Sequence, residues 1–308
     1  MPKLIKKSVK RLSIRQIQAL GTVVGGLLYI LLSARRQIAR QNLKFSHLTR
    51  SIHPSRNFMH KVFHHFGTTL VEMVQMSVLT REECLGRIWV QGEEYLTKAL
   101  MEGKGVIFIS AHIGNWESAL QFYPLYFQKP VLAVVKPFKN FFVNQWMHTF
   151  RSRFGNQLIY TKGALGEMIQ TLRRGGAIGI MIDMNRQKQG IPVKFLRHDV
   201  TVTPAAAMLA LRCKSPVIPI LCHRDPEGRQ IFKIEPPIPM RRSGDLRSDL
   251  QFNTQLMTDV VEKAVCRHPD QWYWMQKRWK TFYPELYPEY FSARQKRKQK
   301  KLSPRGVR

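Results

Sequence analysis

The sequence predicts an α/β fold: a mixed, largely parallel central sheet flanked by helices, preceded by an apolar N-terminal helix. Two observations lead there. From about residue 88, short apolar runs alternate with longer amphipathic segments, and glycine or proline punctuates the joints between them. The chain has 308 residues, 44% of them hydrophobic, so it has enough apolar content to bury a substantial core around such a sheet.

Taken in order, the chain opens with Lys3, Lys6, Lys7, Lys10, Arg11 and Arg15. The stretch from Ile17 to Ala34 then carries no charge, and Arg35, Arg36 and Arg40 close it. A spanning helix needs about 20 apolar residues, and Gln18, Thr22, Gly25 and Gly26 weaken this one. Three readings stay open: a secretory signal with a poor cleavage stretch at Leu32-Ser33-Ala34, a buried helix, or a membrane anchor. Basic residues on both flanks favour the anchor, since they can grip lipid phosphates.

Residues 55–79 place Phe58, Val62, Phe63, Phe66, Leu70 and Val74 at helical spacing, which predicts a packed amphipathic helix. His60, His64 and His65 lie on it, but no carboxylate completes a metal set, and packed or solvated imidazoles are expected. Helices are predicted at Glu93–Met101, Asn115–Phe127 (interrupted by Pro124), Asn140–Phe154, Leu165–Arg174, Thr203–Arg212 and Leu246–Arg267. Strands are predicted at Val106–Ser110, Val131–Val135, Leu158–Tyr160, Ala177–Ile182, Pro216–Cys222 and Gln230–Glu235. From Arg294 the chain is rich in Lys and Arg with little apolar content, the composition of a solvated tail.

The chemistry concentrates where Val106–Ser110 ends. His112 follows two residues later, Gly114-Asn115 supplies a turn, and Trp116-Glu117 opens a helix. This delivers an imidazole to the carboxyl end of a strand, the edge where open α/β sheets collect ligands. The spacing alone is weak: with 10 His and 20 acidic residues, about 0.65 such pairs arise by chance. The strand–turn–helix context carries the weight.

Composition narrows the classes. Fifty Lys and Arg against 20 Asp and Glu give a formal net charge of +30, which favours anionic partners such as nucleic acid, a lipid surface or an acidic protein. Cys84, Cys213, Cys222 and Cys266 form no C-x-x-C pair, so buried free thiols in a reducing compartment are expected rather than a zinc site. No G-x-S-x-G, Walker A, G-x-G-x-x-G or H-E-x-x-H motif occurs, which argues against the corresponding hydrolases, NTPases, oxidoreductases and zinc proteases.

The block His112-Ile-Gly-Asn-Trp-Glu117 resembles the H-x4-[DE] block of the lysophospholipid acyltransferase superfamily, and more narrowly that of the bacterial lipid A biosynthesis (lauroyl/myristoyl) acyltransferases. Further blocks resemble that family in the same order: Arg35-Arg36 to Asn42-Leu43, Lys136-Pro-Phe-Lys-Asn140, Arg153-Phe-Gly155, Asp183-Met-Asn185 with Val193-Lys-Phe195, and His268 to Lys280. The likeness spans roughly residues 15–285. Lys136 stands where arginine is usual, replacing a forked contact by a point charge. Phe195-Leu196-Arg197 replaces the common Phe-Phe-Gly.

The resemblance implies a glycerolipid acyltransferase-like fold, with an anchor at 1–40, an acyltransferase domain at 41–290 and a basic tail at 291–308. It implies His112 as general base, Glu117 holding its imidazole, and the acceptor hydroxyl rather than an enzyme side chain as nucleophile. Lys136 and Arg153 are candidates for an anion site, with solvated surface charge as the alternative. Asn140 is a substrate-binding candidate or a helix cap. Asp183 orders the site or serves structural hydrogen bonding. Asn115 and Trp116 support the turn. The implied donor is an acyl thioester of acyl carrier protein or coenzyme A, with no resident cofactor or metal and no nucleic acid. The implied acceptor is a glycolipid or phospholipid in an anionic leaflet of the bacterial inner (cytoplasmic) membrane, with the catalytic domain on the cytoplasmic side. Two alternatives are acylation of a lysophospholipid or aminolipid, and a non-catalytic basic protein binding membrane or nucleic acid through Trp272–Trp279. Steep salt dependence would mark nucleic-acid binding.

Overall fold

A computed structural model describes residues 3–46, 48, 56–160 and 163–288; the basic tail expected at 291–308 lies outside the described residues. The N-terminal region is helical: α1 (Lys3–Lys10), α2 (Ile14–Leu31), α3 (Ser33–Phe45), α4 (Arg56–Met76) and the short α5 (Arg81–Leu85). The α/β part follows as β1 (Ile88–Gln91), α6 (Glu93–Met101), β2 (Val106–Ser110), α7 (Trp116–Tyr126), β3 (Val131–Val135), α8 (Phe141–Ser152), β4 (Gln157–Tyr160), α9 (Ala164–Arg173) and β5 (Ala177–Met181). A hairpin of β6 (Ile191–Phe195) and β7 (His198–Val202) precedes α10 (Ala205–Cys213), β8 (Val217–Arg224), β9 (Gln230–Ile234) and α11 (Leu246–Arg267).

The main sheet has seven strands in the order β1-β9-β8-β2-β5-β3-β4. Strands β8, β2, β5, β3 and β4 run parallel, whereas β9 is antiparallel to β8 and carries β1 alongside it in its own direction. The expected mixed, largely parallel sheet flanked by helices is therefore what forms. Strand β2 is central, and Val106 to Ile109 are all buried, which is why its sequence reads as a continuous apolar run instead of an alternating one.

Helix α2 is started by a capping box: the Ser13 hydroxyl accepts from the Gln16 N–H, and the Gln16 side chain accepts from the Ser13 N–H. By length and composition alone this is a helix able to cross a membrane. One face is not free, however. Gly21 and Gly25 lie against Gly67 of α4, where the two backbones meet. A Cβ on Gly67 would sit 2.4 Å from the Gly21 carbonyl, and one on Gly25 would sit 2.4 Å from that of Phe63. The glycines that weaken α2 as a spanning sequence are thus the ones that let it dock. The histidines of α4 complete the seam: Tyr29 stacks on His60 at 4.0 Å, and the Thr22 hydroxyl lies 2.8 Å from His64 Nδ1. The opposite face of α2 leaves Leu20, Val23, Leu27, Ile30 and Leu31 exposed. Gly67→Val should lower stability by ~1–3 kcal/mol, because a backbone oxygen cannot rotate out of the way. A reduced unfolding midpoint in detergent would register this; an unchanged one would mean that α2 lifts off α4 without cost.

The C-terminal segment returns to this helical region. Asn42 of α3 donates to the carbonyls of Trp274 (2.7 Å) and Gln276 (2.6 Å), and the Tyr287 hydroxyl donates back to Asn42 Oδ1 at 2.6 Å. Trp272, Trp274 and Trp279 are buried in the main core. All four cysteines are free; Cys84 and Cys222 are buried as expected, but Cys213 is half-buried and Cys266 is exposed.

Candidate active site

Strand register assembles the centre of the site. Strands β2 and β5 are parallel neighbours with Ser110 opposite Met181. Two residues further along each chain stand His112 and Asp183. The His112 Nδ1 lies 2.7 Å from Asp183 Oδ1. The carboxylate's other oxygen accepts from the His112 backbone N–H and from Trp272 Nε1–H, both at 2.9 Å. Asp183 is 1% exposed, so its charge is held in the interior by these three donors. Burial draws the imidazole pKa down, but the adjacent carboxylate, by its charge and its hydrogen bond, more than offsets this and holds His112 above the ordinary value of 6.5. Burial likewise pushes Asp183 upward, and the imidazole and its other donors outweigh that and keep the carboxyl below its ordinary value.

The turn after His112 is clamped from several sides. Gly114 has φ +56°, and a Cβ there would approach the Cys222 carbonyl to 2.5 Å, so glycine is required twice over. Its N–H donates to the Gln271 carbonyl, its own carbonyl accepts from the Thr69 hydroxyl, and the His112 carbonyl accepts from the Tyr273 N–H. Asn115 caps α7 by accepting from the Ser118 N–H, and its amide donates to Glu72 Oε2 at 2.9 Å. Glu72 is paired with Arg224 (2.6 and 2.9 Å), and both are almost fully buried. Arg224 also donates to Thr69 Oγ1. An ion pair between α4 and β8 therefore stands directly beneath the turn.

Glu117 lies on the first turn of α7, but it does not hold the imidazole. Arg151 of α8 binds its carboxylate with two hydrogen bonds, 2.8 and 2.6 Å, and stacks over the Phe138 ring at 5.7 Å. The expected His112–Glu117 hydrogen bond is replaced by His112–Asp183, because parallel register sets Asp183 beside the ring while the helix turns Glu117 toward α8. Other expected site residues also differ. Arg153 donates to the carbonyls of Met76 and Leu79 and lies over Phe154, fastening the end of α8 to the end of α4 and the segment after it, so it is not presented as an anion ligand. Asn140 caps α8 by accepting from the Val143 N–H at 3.0 Å. Lys136 is exposed at the carboxyl end of β3. Trp116 packs as part of an aromatic wall: its ring lies 5.3 Å from His112, 5.6 Å from Tyr273 and 6.3 Å from Phe66.

Fold and site together place a histidine, hydrogen-bonded to a buried aspartate, at the carboxyl edge of an α/β sheet, with aromatic walls and a carboxylate-bound guanidinium beside it. The family model of the bacterial lipid A biosynthesis acyltransferases matches residues 4–281, and the chain belongs to that family. It is an acyltransferase of lipid A biosynthesis. The chain is 24% identical over 270 residues to the lipid A biosynthesis lauroyltransferase of Escherichia coli (strain K12), covering 86% of this chain and 85% of that protein. It is 23% identical over 266 residues both to the lipid A biosynthesis palmitoleoyltransferase of the same organism and to a lipid A biosynthesis acyltransferase of Shigella flexneri, covering 85% of this chain and 84% of each relative.

Proposed function

We propose that this protein moves a fatty acyl chain from an acyl thioester, carried by acyl carrier protein or coenzyme A, to a hydroxyl of a lipid A precursor. The single observation that carries the mechanism is the His112–Asp183 pair. With Nδ1 engaged by the carboxylate, Nε2 is the nitrogen left to take a proton. The acceptor hydroxyl gives its proton to Nε2 as its oxygen attacks the thioester carbonyl carbon. The tetrahedral intermediate then expels the thiolate, which recovers the proton from the imidazolium, and the products are an ester and a free thiol. Asp183 fixes the tautomer and stabilises the imidazolium. Glu117 acts through Arg151, the α8 cation that it binds, which takes the anion-stabilising role first read for Lys136 and Arg153. Lys136 offers a surface contact for an acceptor phosphate. The apolar outer face of α2 and the basic N-terminal flank support attachment to the inner membrane with the catalytic part on the cytoplasmic side, where thioester donors are made.

The test is transfer of labelled acyl chains from both thioesters to a lipid A precursor, a lysophospholipid and an aminolipid, with His112→Ala as control. Transfer to the lipid A precursor, lost in the variant, supports the proposal; transfer only to another lipid keeps the chemistry and overturns the substrate. The pH dependence follows from the direction of the His112 shift. Below its pKa the imidazole is protonated and has no lone pair for the hydroxyl proton. The value of kcat/KM is therefore expected to rise with pH through a midpoint above 6.5. A midpoint below that value would mean that Asp183 does not govern the base.

A further inference from the structure

Besides the outer face of α2, an exposed apolar surface lies on α8 and the loop before it. Phe138, Phe141, Phe142, Val143 and Trp146 are 43%, 71%, 80%, 43% and 38% exposed, while the inner face of the same helix buries Met147 and Phe150. Trp146 also stacks on Phe150, but most of this surface is left open, and exposed contiguous apolar surface of this kind marks a contact site. Lys136 and Lys139 flank it and are exposed. No acidic residue occurs between Glu117 and Glu167, an interval that holds Lys129, Lys136, Lys139, Arg151, Arg153 and Lys162.

We propose that this face inserts into the interfacial region of an anionic lipid bilayer, as a membrane contact additional to α2. Phenylalanine and tryptophan beside lysine, without carboxylates, match a surface whose interior is apolar and whose headgroups are negative. Phe141 and Phe142 present whole rings outward, so the occupant must offer hydrocarbon; an acidic carrier protein would satisfy the lysines but leave these rings against polar surface. The position suits the reaction proposed above, on which the inference rests for its lipid acceptor. Phe138 stacks on Arg151, and Arg151 binds Glu117 of the catalytic turn, so the patch is one layer of side chains from the site. A lipid whose chains meet α8 thereby has its headgroup held near His112.

The experiment uses the full chain with Cys266 replaced by serine and a polarity-sensitive fluorophore on Phe142→Cys. Met101→Cys, at the exposed end of α6, is the control. Vesicles of phosphatidylcholine with and without phosphatidylglycerol are added. A blue shift at position 142, deeper with the anionic lipid and absent at 101, is expected. Position 142 remaining in water, or being shielded by acyl carrier protein instead of vesicles, overturns the proposal. A second variant, Phe141→Ser with Phe142→Ser and Trp146→Ser, is assayed with the acceptor in vesicles and in detergent micelles. Turnover on vesicles should fall roughly tenfold while turnover in micelles stays within about twofold. Equal loss in both makes the patch part of the substrate pocket, and no loss in either makes it idle surface; both outcomes reject the inference. If position 142 inserts but the His112→Ala enzyme still transfers acyl chains, the membrane contact stands and the catalytic reading falls.

Discussion

Asp183→Asn is expected to slow acyl transfer by roughly 10²- to 10⁴-fold with the fold retained. The carboxylate accepts from three donors: the His112 ring, the His112 backbone N–H and the Trp272 indole N–H. A carboxamide has one acceptor oxygen and a donor NH₂. If the oxygen stays with the backbone and indole donors, the NH₂ points at the imidazole. Nδ1 then accepts, the proton moves to Nε2, and the nitrogen facing the acceptor hydroxyl can no longer take its proton. Loss of the negative charge also leaves burial as the dominant influence on His112, so the acid limb of the pH profile should move from above 6.5 to below it. Turnover, the pH profile and a circular dichroism spectrum measured together decide the matter. Wild-type turnover with an unshifted limb would reduce Asp183 to a structural acceptor.

Arg224→Met is expected to give the largest loss of stability, about 3–5 kcal/mol. Removing the guanidinium strands Glu72 in the interior, where it is 4% exposed and, among the described residues, keeps the Asn115 amide as its hydrogen-bond partner. The loss should also reach catalysis, because Thr69, which receives a hydrogen bond from Arg224, holds the Gly114 carbonyl. Urea unfolding in detergent measures the first effect and turnover at low urea the second. Changing Glu72 and Arg224 together to methionine should restore much of the stability, since no uncompensated charge remains. A double variant as unstable as Arg224→Met would show that the cost lies in packing instead of charge.

The stretch around His112 was legible because the apolar run of β2, the glycine turn and the helix start are local features. The partner of His112 was not, because the pairing of β2 with β5 joins residues 71 positions apart. Asp183 reads as a strand-end residue, whereas the H-x4-[DE] resemblance points to Glu117. Arg151 had no distinguishing signal among 50 lysines and arginines. The hairpin of β6 and β7 is not legible in the sequence, for a conformational reason. Its two-residue turn is Leu196-Arg197, at φ +49° and +67°, where Asn-Gly or Asp-Gly would have announced it. Leu196 is buried and Arg197 exposed, so the departure from Phe-Phe-Gly puts its added charge in solvent. The short edge strand β1 was missed too, because four residues carry too little pattern. In the sequence the glycines of α2 read as weakness in a span, since their partner Gly67 lies on another helix.

The return of the C-terminal segment to α3 and to the His112 turn has a consequence for biosynthesis. When His112 and Asp183 leave the ribosome, neither Trp272 nor Tyr273 has been translated, and the turn lacks its hydrogen bond to the Gln271 carbonyl. At roughly 5–20 residues per second, the wait between residues 112 and 273 is on the order of ten seconds. Throughout that interval the nascent chain holds the His112 imidazole without these contacts. A chain truncated before residue 272 is therefore expected to lack the Trp272, Tyr273 and Gln271 contacts that hold this turn.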